Sequence, residues 1–141
     1  MRFTAAITSG FTNYVNFKNR ASRSEYWFWQ LFMLLSGLGV LLLDLLLFLT
    51  AGIRSQSFST IWWLATILPD VAVAVRRLHD ADRSGWWLLL FFVPLVGWIV
   101  LLVWFCTAGT HGYNRFGANP LPAEASLHGA GRSRLTPRST A

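Results

Sequence analysis

The stretch Tyr26-Trp27-Phe28-Trp29-Gln30-Leu31-Phe32-Met33-Leu34-Leu35-Ser36-Gly37-Leu38-Gly39-Val40-Leu41-Leu42-Leu43-Asp44-Leu45-Leu46-Leu47-Phe48-Leu49 decides how the rest of the chain is read. Gln30, Ser36, two glycines and Asp44 alone interrupt its hydrocarbon and aromatic surface. As an α-helix rising about 1.5 Å per residue, it is long enough to cross a bilayer core of about 30 Å with some tilt. Just before it, Ser22-Arg23-Ser24-Glu25 has capping-box spacing, in which the Ser22 hydroxyl covers an early backbone N–H and Glu25 reaches back to the cap. A helix is therefore predicted to start here. A secretory signal peptide also places basic residues before an apolar run, but its apolar region is about 7–15 residues long behind a short leader. Here residues 1–25 come first and the run is longer, so an uncleaved anchor is expected.

The whole chain has the same character. Its 141 residues are 54% hydrophobic and 13% charged, with a mean hydropathy of +0.44. The apolar residues are bunched into runs, whereas a water-soluble core would interleave them with polar neighbours at helical or strand period. The net charge of +6 could be the footprint of nucleic-acid binding. However, Arg20, Arg23, Arg76, Arg77 and Arg83 lie beside apolar runs, where retention on the cytoplasmic side and attraction to anionic headgroups place them. Nucleic acid is not an expected partner.

Outward from the first span, Phe58 to Val75 supplies a second, with Pro69 and Asp70 within it, and Trp86 to Thr107 a third. Pro69 removes a backbone donor and predicts a kink that neighbouring helices must shelter. Pro94 and Gly97 leave the third segment open to two forms, a kinked span or a re-entrant hairpin. Towards the N-terminus, Phe3, Ile7, Phe11 and Val15 recur every fourth residue, which reads as an amphipathic helix on the membrane surface within residues 1–25. A polar tail runs from 108 to 141 and is expected to be disordered beyond 120. The fold class expected is thus an all-α membrane protein with an interfacial N-terminal helix, about three transmembrane helices at 26–49, 58–75 and 86–107, and a disordered tail.

Basic residues set the orientation. Arg2, Lys18, Arg20 and Arg23 precede the first span and Arg76, Arg77 and Arg83 follow the second, against Arg54 in the first loop and Arg115 after the third. The positive-inside rule puts the N-terminus and second loop in the cytoplasm, and with three crossings the C-terminus in the periplasm. Tyr26, Trp27, Trp29, Trp86 and Trp87 would form an inner aromatic belt, with Trp62, Trp63 and Trp104 towards the outer surface.

For chemistry, the second loop is the leading candidate. If the helix continues past the membrane, Arg76, His79, Asp80 and Arg83 share one face, so that Asp80 can pair with both arginines. With Arg20, Arg23 and Arg77 this cluster is a candidate site for a lipid headgroup or partner; the plainer reading is a topogenic cluster with internal ion pairs. Asp44 and Asp70 are intramembrane carboxylates that must face a partner or water. Arg54 is the expected partner of Asp44; a proton or cation relay is the sharper reading of both. The single Cys106 and the scattered His79, His111 and His128 have no metal-ligand spacing. No Gly-x-Ser-x-Gly elbow or glycine-rich phosphate loop occurs. Neither an enzyme, a cofactor nor a metal is expected. Gly37, Gly39, Ala65, Ala72 and Ala74 would permit close helix contacts, including those of a homo-oligomer.

Four blocks in order carry a resemblance: Asn13 to Trp27; Arg76-Arg77-Leu78-His79-Asp80 with Ser84-Gly85-Trp86-Trp87; Pro94-Leu95-Val96-Gly97; and Gly112-Tyr113-Asn114-Arg115-Phe116-Gly117 with Pro120. Over residues 11–120 the chain resembles the family called domain of unknown function 805, the YhaH-like proteins. The resemblance implies a small polytopic protein of the bacterial cytoplasmic membrane with no established biochemical activity, and marks Asn114, Arg115 and Phe116 as an outer motif. The reading that follows is a membrane-embedded structural or interaction protein that binds the bilayer, including anionic lipid, with a second copy or a membrane protein as its expected partner. The alternative is a small oligomeric transporter or channel subunit using Asp70 and the arginine cluster.

Overall fold

A computed structural model describes residues 1–52 and 57–121. Four α-helices and one 3-10 segment follow in order: α1 (Phe3–Thr12), α2 (Arg23–Ala51), α3 (Ser57–Asp80), the 3-10 segment Gly85–Phe92 and α4 (Val96–Cys106). Among the described residues the extended pairing is confined to an isolated bridge between Asn114 and Gly117. Among the described residues two helices, Arg23–Ala51 and Phe58–Asp80, are long and apolar enough to cross a membrane.

Helix α2 starts where the capping box predicts, with the backbone N–H of Glu25 donating to the Ser22 hydroxyl at 3.2 Å. It stops at Gly52, whose φ of 65° is the left-handed conformation suited to glycine after a helix. Its antiparallel partner α3 runs beyond the expected 58–75 and carries Arg76, Arg77, His79 and Asp80 on its last turns. Pro69 lies inside α3 and leaves the Ala65 carbonyl without its helical donor. The Tyr14 hydroxyl donates to that carbonyl, so the shelter that Pro69 requires comes from the segment after α1.

Helix α1 is shorter than its apolar repeat. It ends at Thr12, because Asn13 turns its side chain onto the Ser9 carbonyl at 3.0 Å and Asn16 then bonds Asn13 at 3.0 Å. Such side chains compete with the helical backbone. Val15 therefore lies outside the helix, a correction to the four-residue repeat. Gly10 is the point of closest approach to α2, where a Cβ would meet the Trp29 ring at 2.2 Å. Phe11 packs edge-on against Trp29 and Phe32, at 5.3 and 5.8 Å.

The expected third span is not one continuous helix. Of the two forms that Pro94 and Gly97 left open, the chain adopts the hairpin. It reverses at Leu95, a non-glycine residue with φ 62° and ψ −70°, where the Val96 N–H bonds the Pro94 carbonyl at 2.8 Å. This is a tight, strained γ-turn. The two arms then touch: a Cβ on Gly97 would lie 1.9 Å from the Leu90 carbonyl oxygen, and the Trp98 indole donates to the Phe91 carbonyl at 2.8 Å. Each arm is about 16 Å long, half the ~30 Å thickness of a hydrocarbon core. Both of its ends lie beside the C-terminal end of α3. A Cβ at Gly85 would meet Val75 at 2.8 Å, and Arg77 bonds the Phe105 carbonyl at 3.2 Å. Trp104, expected in an outer belt, accordingly stands at this end, 5.5 Å from Trp87.

The buried core, with Tyr26, Trp29, Val73, Leu78, Leu101 and Phe105, occupies this same end. Towards the other end, Leu34, Leu49 and Leu64 are 67%, 70% and 69% exposed, as suits side chains that face lipid tails or other helices. Of the small residues, Ala72 and Ala74 are buried, whereas a Cβ on Gly39 would meet nothing within 4 Å.

Candidate functional site

The last turns of α3 gather charge from four parts of the chain. Arg20 reaches Asp80 through Nη2 at 2.8 Å and Nε at 3.0 Å. Arg77 donates to the other oxygen of Asp80 at 2.6 Å, and Arg76 pairs with Glu25 at 2.8 Å. All five residues are buried. Removing charges from water carries a desolvation cost, which good geometry and further hydrogen bonds must offset. The extra acceptors are backbone carbonyls. Arg20 also donates to Thr110 at 2.6 Å, Gly112 at 2.8 Å and Gly117 at 3.2 Å. Arg77 adds Thr107 and Phe105, which lie at the end of α4, where partial negative charge accumulates.

These pairings correct the expected face. Asp80 binds Arg20 and Arg77 rather than Arg76 and Arg83, because α3 stops at Asp80 and the chain turns through Asp82 at φ 55°. Arg83 leaves the helix and stacks over Trp104, 4.0 Å from the ring centroid. Arg23 is exposed at the start of α2. Glu25, read from sequence as a cap residue, is also an ion-pair partner and accepts from the Ser9 hydroxyl at 2.8 Å.

The segment after α4 belongs to this cluster. Thr110 donates its N–H to the Asp80 carbonyl at 2.9 Å, and Asn114 donates to the His79 carbonyl at 2.9 Å. Phe116 lies flat on His79, with centroids 3.8 Å apart; exposed Arg115 pairs with Asp82 at 3.2 Å. Gly109 passes so close to Asp80 that a Cβ would lie 2.0 Å from Oδ2. The motif expected outside the inner cluster, Asn114, Arg115 and Phe116, is therefore packed against it.

Asp44 and Asp70, the carboxylates within the apolar helices, make separate contacts. Asp44 accepts the backbone N–H of Ser59 at 3.0 Å, satisfying one of the first donors of α3, which no turn within the helix can reach. Its expected partner Arg54 lies outside the described residues, as does the tail beyond Leu121. Asp70 accepts from the Trp29 indole at 3.1 Å and the Gln30 amide at 2.9 Å, both on Oδ1. It lines a groove of about 640 Å³ between α2, α3 and the hairpin, together with Tyr26, Gln30, Phe91, Trp98 and Phe105. Sequence reasoning named Asp70 but missed this setting; the isolated Gln30 within the apolar run was the available signal. No group of three or more His, Cys, Asp or Glu suited to a metal occurs among the described residues.

A family model described as a protein of unknown function, DUF805, matches residues 14–118. The chain belongs to the DUF805 family. The DUF805 match begins at Tyr14, which caps the Ala65 carbonyl, and takes in the ion-paired cluster and the whole groove, while α1 lies outside it. Among DUF805-like relatives, inner membrane protein YhaI of Escherichia coli K12 is 51% identical over 108 residues, covering 77% of this chain and 88% of its own. Inner membrane protein YhaH of the same strain is 44% identical over 108 residues, covering 77% and 89%. The family and these relatives place the chain among bacterial inner-membrane proteins. No solved structure matches it.

Proposed function

We propose that this protein is a structural and interaction element of the inner membrane, which crosses it twice through α2 and α3 and meets anionic lipid with a basic rim. The observation that carries the reading is the division of the cations into two sets. Arg20, Arg76 and Arg77 are buried in the ion-paired cluster, whereas Arg2, Lys18 and Arg23 are exposed. Headgroup binding therefore passes from the buried guanidiniums to the exposed set, each cation of which contributes about 1 kcal/mol near an anionic surface. The bonds from Arg20 to the carbonyls of residues 110–117 support a topology with the N-terminal segment, the turn after α3 and residues 107–121 all on the cytoplasmic side. The hairpin then enters and leaves through the same leaflet.

Native mass spectrometry of the protein released from bilayers containing phosphatidylglycerol tests the lipid role. Lys18→Ala with Arg23→Ala should reduce retained anionic lipid severalfold; equal retention would remove the rim from the account. A transport role in an oligomer has the Asp70 groove in its favour, and flux into proteoliposomes that Asp70→Asn abolishes at unchanged protein level would favour it.

A further inference from the structure

We propose that the groove beside Asp70 is a binding site for an amphiphilic cation, a molecule with one positive centre and an apolar body that arrives sideways from the lipid. The groove, about 640 Å³, falls within the ~300–1,000 Å³ range of small-molecule sites. Its lining contains one carboxylate, Asp70, and no arginine or lysine. The arginines of the cluster above it are paired with Glu25 and Asp80 instead. A carboxylate at membrane depth calls for a counter-charge, and an arriving cation supplies it.

The walls suit the same ligand. Tyr26, Phe91, Trp98 and Phe105 present aromatic rings, whose faces attract cations more strongly as water is excluded. Trp29 and Gln30 both donate to Oδ1 of Asp70, which fixes the carboxyl in place. The outer wall is open: Trp98 is 51% exposed and Phe92 79%. A ligand dissolved in the bilayer can therefore approach the groove from its exposed side.

Two probes of the same size and apolar surface but opposite sign isolate the charge. Full-length protein in lipid nanodiscs would be titrated with tetraphenylphosphonium and with tetraphenylborate, with empty nanodiscs subtracted. The expected result is saturable binding of the phosphonium at least tenfold tighter than the borate. Asp70→Asn should abolish this preference and Asp70→Glu retain it. Leu102→Trp, which adds bulk to the groove lining while leaving Asp70 in the sequence, should weaken phosphonium binding about tenfold and serves if the Asp70 variants do not fold. Equal binding of the two ions, an undiminished preference in Asp70→Asn, or full affinity in Leu102→Trp would each overturn the assignment.

Discussion

Arg20 holds Asp80 with two nitrogens, Nε at 3.0 Å and Nη2 at 2.8 Å, across 60 residues of sequence. The contact ties the segment before the first long helix to the last residue of the second. The same guanidinium binds the carbonyls of Thr110, Gly112 and Gly117, so one side chain joins three parts of the chain.

Removing one member of such a buried pair leaves the other uncompensated, at a cost of about 3–5 kcal/mol. Arg20→Ala and Asp80→Asn should each lower the thermal unfolding midpoint in detergent, with Asp80→Asn the more damaging, since it strands Arg77 as well. Arg20→Lys should restore little, because a single ammonium cannot reproduce a planar fork that reaches a carboxylate and several carbonyls. Full stability in Arg20→Lys would mean that charge alone matters here.

Tyr14 and Pro69 should behave as a coupled pair. Tyr14→Phe deprives the Ala65 carbonyl of its donor, a loss of about 0.5–1.5 kcal/mol. In a Pro69→Ala background the helix supplies its own N–H to Ala65, and the same change should cost little. A double-mutant cycle of unfolding free energies measures this, and additive effects would break the link.

Gly97 and Gly39 are opposite tests of the hairpin. A methyl group at Gly97 would lie 1.9 Å from the Leu90 carbonyl oxygen, while one at Gly39 meets nothing within 4 Å. Gly97→Ala should destabilise by about 1–3 kcal/mol through overpacking, whereas Gly39→Ala should be neutral or slightly stabilising, since alanine is the better helix former. Equal effects would show that the two arms do not touch.

The proposed topology, with the hairpin entering and leaving through one leaflet, has a direct test. A green fluorescent protein fused after Leu121 should fluoresce in intact cells, and alkaline phosphatase fused at the same place should be inactive. Active phosphatase would put a complete crossing back between residues 85 and 107.

Features set by neighbours in sequence were legible without coordinates. Ser22 and Glu25 lie three apart, and the cap they announce forms because it needs nothing beyond one helical turn. The long apolar helices were legible for the same reason. The end of α3 was not, since Arg76 to Asp80 are polar enough to read as a loop; their helix persists because Glu25, Arg20 and the carbonyls of Phe105 and Thr107 neutralise what water otherwise would. Which carboxylate each arginine would take depends on how helices pack, and sequence spacing favoured the wrong neighbours for Asp80. Pro94 and Gly97 announced a break, yet a kink and a reversal use the same residues. The turn at Leu95 and the contacts between the arms, Leu90 with Gly97 and Trp98 with Phe91, distinguish them. Asp44 was legible as a residue in need of a partner; that the backbone N–H of Ser59 would donate to it was not.

The carbonyls gripped by Arg20 and Arg77 belong to residues 105–117, which leave the ribosome after everything they join. Translation thus delivers the acceptors last. Until that segment arrives, both guanidiniums have Asp80 but lack the carbonyl acceptors that residues 105–117 supply, so a nascent chain stalled or cut before Phe105 keeps several guanidinium donors without those partners. A product cut before Phe105 is thereby distinguished from one that reaches Gly117 by the unmet donors of Arg20 and Arg77.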